Sequence, residues 1–189
     1  GVQTCALPIS GRPVMNGRRY GNLDQSDAVQ CLVAVYPPTD MYQLDLCDRT
    51  TAEDQAAATD GNTVRGDTGE KGMGKMHNQL MGVSCMDNPE IAATASPIKF
   101  VNGDFPPAYF LQGVQDRIIP YTQSVSMVRM INEQCGEGHA ELKLFPNADH
   151  GAAEMKTDDE IDVILDFIDR HIWEGEHART PLPKEIALL

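Results

Sequence analysis

Three short apolar runs, each cut off by a breaker, most constrain what this chain can become. Residues 28–36 read Ala-Val-Gln-Cys-Leu-Val-Ala-Val-Tyr and stop at Pro37-Pro38. Tyr109-Phe110-Leu111 precedes Gly113, and Glu141-Leu142-Lys143-Leu144-Phe145 precedes Pro146. Runs this short, bounded by glycine or proline, suit buried strands of a parallel sheet, the first spanning 29–35. Helical signals stand between and after them. Asn88-Pro89-Glu90 opens a short helix to Ala95, with proline in the first turn, where its missing N–H costs nothing. A helix from about Gln123 to Cys135 carries Val125, Val128 and Ile131 and stops at Gly136. A last helix starts at the capping box Thr157-Asp158-Asp159-Glu160. It carries Ile161, Ile164, Leu165, Ile168 and Ile172 at helical spacing as its buried stripe. Strands alternating with helices predict an α/β fold, a parallel sheet of about three strands covered on both faces.

The rest of the chain has a different texture. Residues 11–28 are polar and rich in Gly, Arg and Asn, which predicts a surface loop. Residues 40–75 are acidic, carry Gly61, Gly66, Gly69, Gly72 and Gly74, and show little periodicity. A stretch this long without regular structure predicts a loop or lid insertion. Residues 174–189 read as a polar tail. Residues 1–9, Gly-Val-Gln-Thr-Cys-Ala-Leu-Pro-Ile, resemble the translation of a short-read sequencing adapter, and such a segment is set aside from fold reasoning. The expectation is therefore a non-native segment at 1–10, a partial domain at 11–173, and a reading frame cut near Ser10 or Gly11. Localisation is left open by that expectation.

Composition narrows the function classes. With 189 residues, 41% of them hydrophobic, there is one domain's worth of core. No stretch approaches the ~20 apolar residues of a membrane helix. A net charge of −13 argues against nucleic acid as partner, since that affinity comes from Lys and Arg on phosphates. Cys5, Cys31, Cys47, Cys85 and Cys135 form no Cys-x-x-Cys pair and no metal-ligand spacing. Thiols set in apolar runs, such as Cys31, read as small core residues. His77, His139, His171 and His177 make no ligand pattern, and the glycines at 61–74 are not followed by the Lys-Ser/Thr of a phosphate loop. No cofactor or metal is expected.

Asp116 and His150 carry the functional signal. Each sits just past an apolar run, in PPAYFLQGVQDRIIP and LKLFPNADHG. Strand-to-loop junctions on one edge of a parallel sheet are where a nucleophile, an acid and a histidine stand, in that chain order. A serine hydroxyl attacks only when an imidazole takes its proton. A buried carboxylate must orient that imidazole and stabilise the imidazolium. The nucleophile is missing: no Gly-x-Ser-x-Gly occurs in the 189 residues. Gly82-Val83-Ser84-Cys85-Met86 lacks the final glycine and follows the 29–35 strand instead of preceding it. Ser84 reads as a turn or cap residue, and neither Ser84 nor Cys85 as a nucleophile.

A set of motifs in order makes the pattern nameable. They are Gly21-Asn22-Leu23; Val35-Tyr36-Pro37-Pro38-Thr39-Asp40; Asn88-Pro89-Glu90 into Ala95-Ser96-Pro97-Ile98; Pro106-Pro107 through Asp116 and Ile119-Pro120; and Ala148-Asp149-His150-Gly151. From about Gly17 to His171 the chain resembles the C-terminal half of an α/β-hydrolase of the esterase/lipase type. Within that type it is similar to the acetyl esterase and feruloyl or acetylxylan esterase-like group, which overlaps with prolyl-oligopeptidase-type hydrolases. The resemblance implies a serine hydrolase of carboxylic esters, with Asp116 as triad acid, His150 as general base and the serine upstream of this chain. It implies small acyl or feruloyl esters, including polysaccharide-linked ones, as substrates. The chain as given is then expected to be inactive and poorly folded, its 29–35 strand lacking the neighbour that the nucleophile's strand would supply. Two alternatives stay open, a prolyl-oligopeptidase-type peptidase and a non-catalytic binding domain on the same scaffold. Where the family shows His-Gly after the strand, this chain has Gln112-Gly113, a departure expected to concern the turn.

Overall fold

A computed structural model describes residues 28–46 and 76–172. The segment at 1–27, residues 47–75 of the insertion and the tail at 174–189 lie outside the described residues, as do the readings placed on them. Three strands form one parallel sheet in the order β1 (Leu32–Val35), β2 (Ala108–Gly113), β3 (Ala140–Phe145). Leu32 pairs with Ala108, and Ala108 in turn with Ala140, so all three strands start level and end at one edge. β2 is the middle strand and its six residues are all buried. β1 starts at Leu32, later than the apolar run suggested, because Ala28 is exposed and the chain takes up the ladder only at Leu32, whose N–H bonds Pro107 O at 2.9 Å.

The alternation of a strand sorts side chains to two faces. Leu32, Ala34, Ala108, Phe110 and Ala140 point one way and meet Met127 and Ile131 of helix α4 (Thr122–Cys135). Tyr109 and Leu111 point the other way and meet Phe167 of helix α5 (Asp158–Ile172), with Val33, Val35, Ile164 and Ile168 around them. Phe110 and Phe167 are fully buried on opposite faces. Truncating either to alanine would cost about 3–5 kcal/mol in transfer and cavity terms.

Both helices bury part of the face their aliphatic residues suggested, Val128 and Ile131 in α4 and Ile164 and Ile168 in α5, and turn the rest of it out. In α4, Gln123, Ser124, Met127 and Ile131 are buried, while Val125 is 37% exposed. In α5, Glu160 and Phe167 are buried, and Ile161 and Ile172 are each 44% exposed. The reason lies in what faces the helix. The Tyr109 hydroxyl donates to Glu160 Oε1 at 3.2 Å and Lys143 pairs with Glu160 Oε2, so a carboxylate takes the inner position and Ile161 turns out. Burial, then the neighbouring Glu160 carboxylate, pushes the Tyr109 phenol up to about 12. The capping box is thus half made. Thr157 Oγ1 accepts from Glu160 N at 3.3 Å, while the Glu160 side chain is spent on the core.

The insertion opens with more order than its composition suggested. Residues 41–46 are helical (α1), with the Asp40 carboxylate accepting from Gln43 N at 3.1 Å as the cap. Helices α2 (Met76–Met81) and α3 (Pro89–Thr94) follow. Met41, Leu44, Cys85 and Ala92 then form a second small core that also takes in Ile119. That core braces the loop carrying Asp116 from below. Gln123 locks α1 to α4, its Oε1 accepting from Thr39 N and Asp40 N at 2.9 and 2.8 Å. Among the described residues no helix is long and apolar enough to cross a membrane.

Candidate active site

The C-terminal ends of β2 and β3 bring Asp116 and His150 together. β2 runs out at Gly113 and the chain turns through Val114 and Gln115, whose N–H groups bond Phe145 O at 2.9 Å and Ala148 O at 3.1 Å. Those two bonds tie the loop after β2 to the loop after β3. They need Gly113, because a Cβ there would lie 2.3 Å from Ala148 O. Any side chain would force the loops apart.

With the loops joined, His150 Nδ1 lies 2.9 Å from Asp116 Oδ2. An ionised carboxylate only accepts, so Nδ1 carries the proton and Nε2 is left as the basic nitrogen. Nε2 makes no hydrogen bond among the described residues. The Asp116 side chain is fully buried and that of His150 is 27% exposed, so the acid lies inside and the base at the rim. Every lone pair of the acid is spoken for. Asp116 Oδ1 accepts from the N–H groups of Ile118 and Ile119 at 2.9 and 2.8 Å. Oδ2 takes Gln112 Nε2 at 3.0 Å beside the imidazole.

Gln112 does more than shape the turn. Its Nε2 also donates to Ile119 O at 3.0 Å, and its Oε1 accepts from Ser124 Oγ at 3.0 Å. A buried amide, itself held by α4, therefore spans the acid and the far side of the acid's own loop. Three further residues surround the pair. The Tyr36 ring, just past β1, packs on the imidazole with centroids 4.2 Å apart. Arg117 grips Asp149, and that hydrogen bonding holds the Asp149 carboxyl down at about 2. Tyr36 and Asp149 belong to motifs that carry the resemblance, but no signal in the sequence assigns them, or Arg117, a place beside the acid and base.

Ser84 and Cys85 serve another centre. Ser84 Oγ donates to the buried Asp45 at 3.3 Å, and Asp45 also takes Met86 N at 2.8 Å and Asn78 Nδ2 at 3.1 Å. Asp87 N donates to Ser84 Oγ, the turn role expected of it. Cys85 is fully buried, and burial followed by the Asp45 charge pushes its thiol up, the opposite of what a nucleophile needs. Among the described residues no three His, Cys, Asp or Glu side chains are grouped to hold a metal ion.

A family model described as BD-FAE matches residues 14–131. The chain belongs to the BD-FAE family. The match runs through β1, β2 and Asp116 and ends within α4, before β3 and His150. Among curated proteins this BD-FAE chain is similar to Esterase LipQ of Mycobacterium tuberculosis (strain ATCC 25618 / H37Rv), 29% identical over 86 residues, which are 44% of this chain and 20% of that one. The chain thus spans about a fifth of the curated relative it matches.

Solved structures share the fold. A bifunctional GH43-CE protein of Bacteroides eggerthii superposes with a TM-score of 0.65 at 21% identity, over 89% of this chain and 22% of that one. A truncated carbohydrate esterase from gut microbiota gives 0.57 at 21% identity, over 80% and 45%. The acylaminoacyl peptidase of Pyrococcus horikoshii gives 0.52 at 14% identity, over 88% and 23%. The BD-FAE chain is therefore part of an esterase-like α/β-hydrolase fold, with three parallel strands and flanking helices.

Proposed function

We propose that the intact protein is a serine hydrolase of carboxylic esters, with Asp116 as the acid and His150 as the general base. The observation that carries the reading is the 2.9 Å approach of His150 Nδ1 to a fully buried, fully hydrogen-bonded Asp116 carboxylate. The nucleophilic serine and the oxyanion donors come from a part of the protein outside this chain. In the reaction, His150 Nε2 takes the serine proton as the hydroxyl attacks the ester carbonyl, and Asp116 holds the imidazolium that forms. The same nitrogen returns the proton to the leaving alcohol, and water then releases the acyl group by the reverse route. Family membership supports an ester over an amide, and so does the name of the LipQ relative. The carbohydrate esterase neighbour supports esters carried on polysaccharides, and the sequence resemblance narrows the acyl group to small acyl or feruloyl.

The test has two parts. Coding sequence recovered upstream of residue 11 is expected to encode Gly-x-Ser-x-Gly, and a sequence without it sinks the proposal. The protein so completed is expected to hydrolyse p-nitrophenyl acetate, with His150→Ala lowering turnover by about 10⁶. The 189-residue chain alone is expected to be silent in the same assay.

A further inference from the structure

Two residues that touch no reacting atom in this reading hold the acid and base loops to each other. Arg117 follows the acid directly, and Asp149 precedes the base directly. Arg117 Nε donates to Asp149 Oδ2 at 2.8 Å, and Arg117 Nη2 donates to the same oxygen. The Arg117 backbone N–H donates to Asp149 Oδ1 at 3.1 Å, and that oxygen also accepts the backbone N–H of His150 at 2.8 Å. One carboxylate thus collects the side chain and main chain of the residue after the acid together with the main chain of the base.

We infer that Arg117 and Asp149 are positioning residues, a clamp that sets the Asp116–His150 distance independently of the rest of the fold. The inference rests on the acid–base reading of those two residues. The Arg117 side chain is 70% exposed and that of Asp149 38%, and ion pairs so placed add little to global stability. Yet each partner is covalently next to a residue whose placement must hold to a fraction of an ångström, where a misplacement of about 1 Å costs about 100-fold in rate. A guanidinium fork fixes direction as well as distance, which a lysine point charge does not. The contacts given by Gly113 and Gln112 bring the loops into range. The clamp fixes the remaining freedom of the turn at Asp149-His150.

The test reads the Asp116–His150 hydrogen bond directly, in the intact protein labelled with ¹⁵N-histidine. The His150 Nδ1 proton is expected as a far-downfield, slowly exchanging resonance, assigned by its loss in His150→Gln. Arg117→Gln is expected to speed its exchange with water at least tenfold, and Arg117→Lys to give an intermediate rate. Arg117→Gln/Asp149→Asn, which leaves net charge unchanged, is expected to match the single variant. Melting temperature should stay within a few degrees throughout. The clamp is refuted if the double variant keeps the resonance and its exchange rate, or if the unmutated chain shows no such resonance. It is equally refuted if exchange simply tracks melting temperature across the series, since the pair would then only support the fold. Ester turnover does not enter this measurement, so a failure of the hydrolase reading shows elsewhere.

Discussion

The Tyr36 ring lies 4.2 Å from the His150 imidazole, tilted by 54°, and the backbone bends into an unfavourable region to put it there. Tyr36 has φ +44°, where a bulky side chain costs on the order of 1–3 kcal/mol. Its N–H still bonds Leu111 O at 2.8 Å, so the bend begins at the last rung of the β1–β2 ladder. Pro37 and Pro38 follow at once and leave the chain few ways out. The strand that contributes neither acid nor base thereby contributes a wall to the base.

Replacing that wall should alter catalysis more than folding. In the intact protein, Tyr36→Phe is expected to keep kcat/KM for p-nitrophenyl acetate within about twofold, since the ring remains. Tyr36→Ala should lower it about tenfold by freeing the imidazole to leave its attacking pose. Equal activity in both variants would show that His150 needs no aromatic support.

Gly113→Ala should be severe for a single methyl group. The added Cβ would sit 2.3 Å from Ala148 O and 3.0 Å from the Met155 methyl, and the carbonyl belongs to backbone that is itself hydrogen-bonded. Overpacking of this kind costs about 1–3 kcal/mol. A melt of the alanine variant should show a drop of several degrees. Unchanged stability would mean that the loops after β2 and β3 slide freely.

The Arg117–Asp149 contact should release in acid. Hydrogen bonds from the Arg117 side chain, then from the backbone N–H groups of Arg117 and His150, favour the ionised carboxylate and lower Asp149 from 3.8 to about 2. A group lowered on folding contributes stability that is complete above its unfolded value and is lost as pH falls through its folded one. The contact is thus intact above about pH 4, half lost near pH 2 and gone only below that. Carboxyl ¹³C titration of Asp149 should give a midpoint near 2, returning toward 3.8 in Arg117→Gln. A midpoint already near 3.8 in the unmutated chain would contradict the contact.

Asp45→Ala should unfold the second core while Ser84→Ala barely matters. Asp45 is 1% exposed and accepts from Asn78, Ser84 and Met86, so its loss strands buried donors at a cost on the order of 3 kcal/mol. Ser84 gives up two long bonds, to Asp45 and from Asp87 N, each at 3.3 Å, and the second lies at the exposed turn. Native Cys85 should resist iodoacetamide in the unmutated chain and react in Asp45→Ala. Rapid labelling of Cys85 in the unmutated chain would count against a closed core.

Local pattern was enough for the strands, the order of the helices and the positions of Asp116 and His150. Breakers and two-residue or 3.6-residue periods are properties of neighbouring residues, and β2, β3, α3 and α4 fall where those periods place them. The buried faces of α4 and α5 were legible only in part: Val128, Ile131, Ile164 and Ile168 reach the core, while Val125 and Ile161 turn out. Ile161 and Glu160 are equally plausible inward residues until Tyr109 and Lys143 arrive from other strands to satisfy a carboxylate. Helix α1 was hidden by the acidic, glycine-rich composition around it: its cap at Asp40 is local, but its anchor on Gln123 is made across 83 and 84 positions. The same holds for the surroundings of the acid and base. Gln112, Tyr36, Arg117 and Asp149 acquire roles only when parallel strands, which must cross over and return, end at one edge. Sequence determines which residues stand at the ends of strands. Only the tertiary structure decides which ends meet, since hydrogen bonds between loops far apart in the chain depend on geometry that no local period encodes.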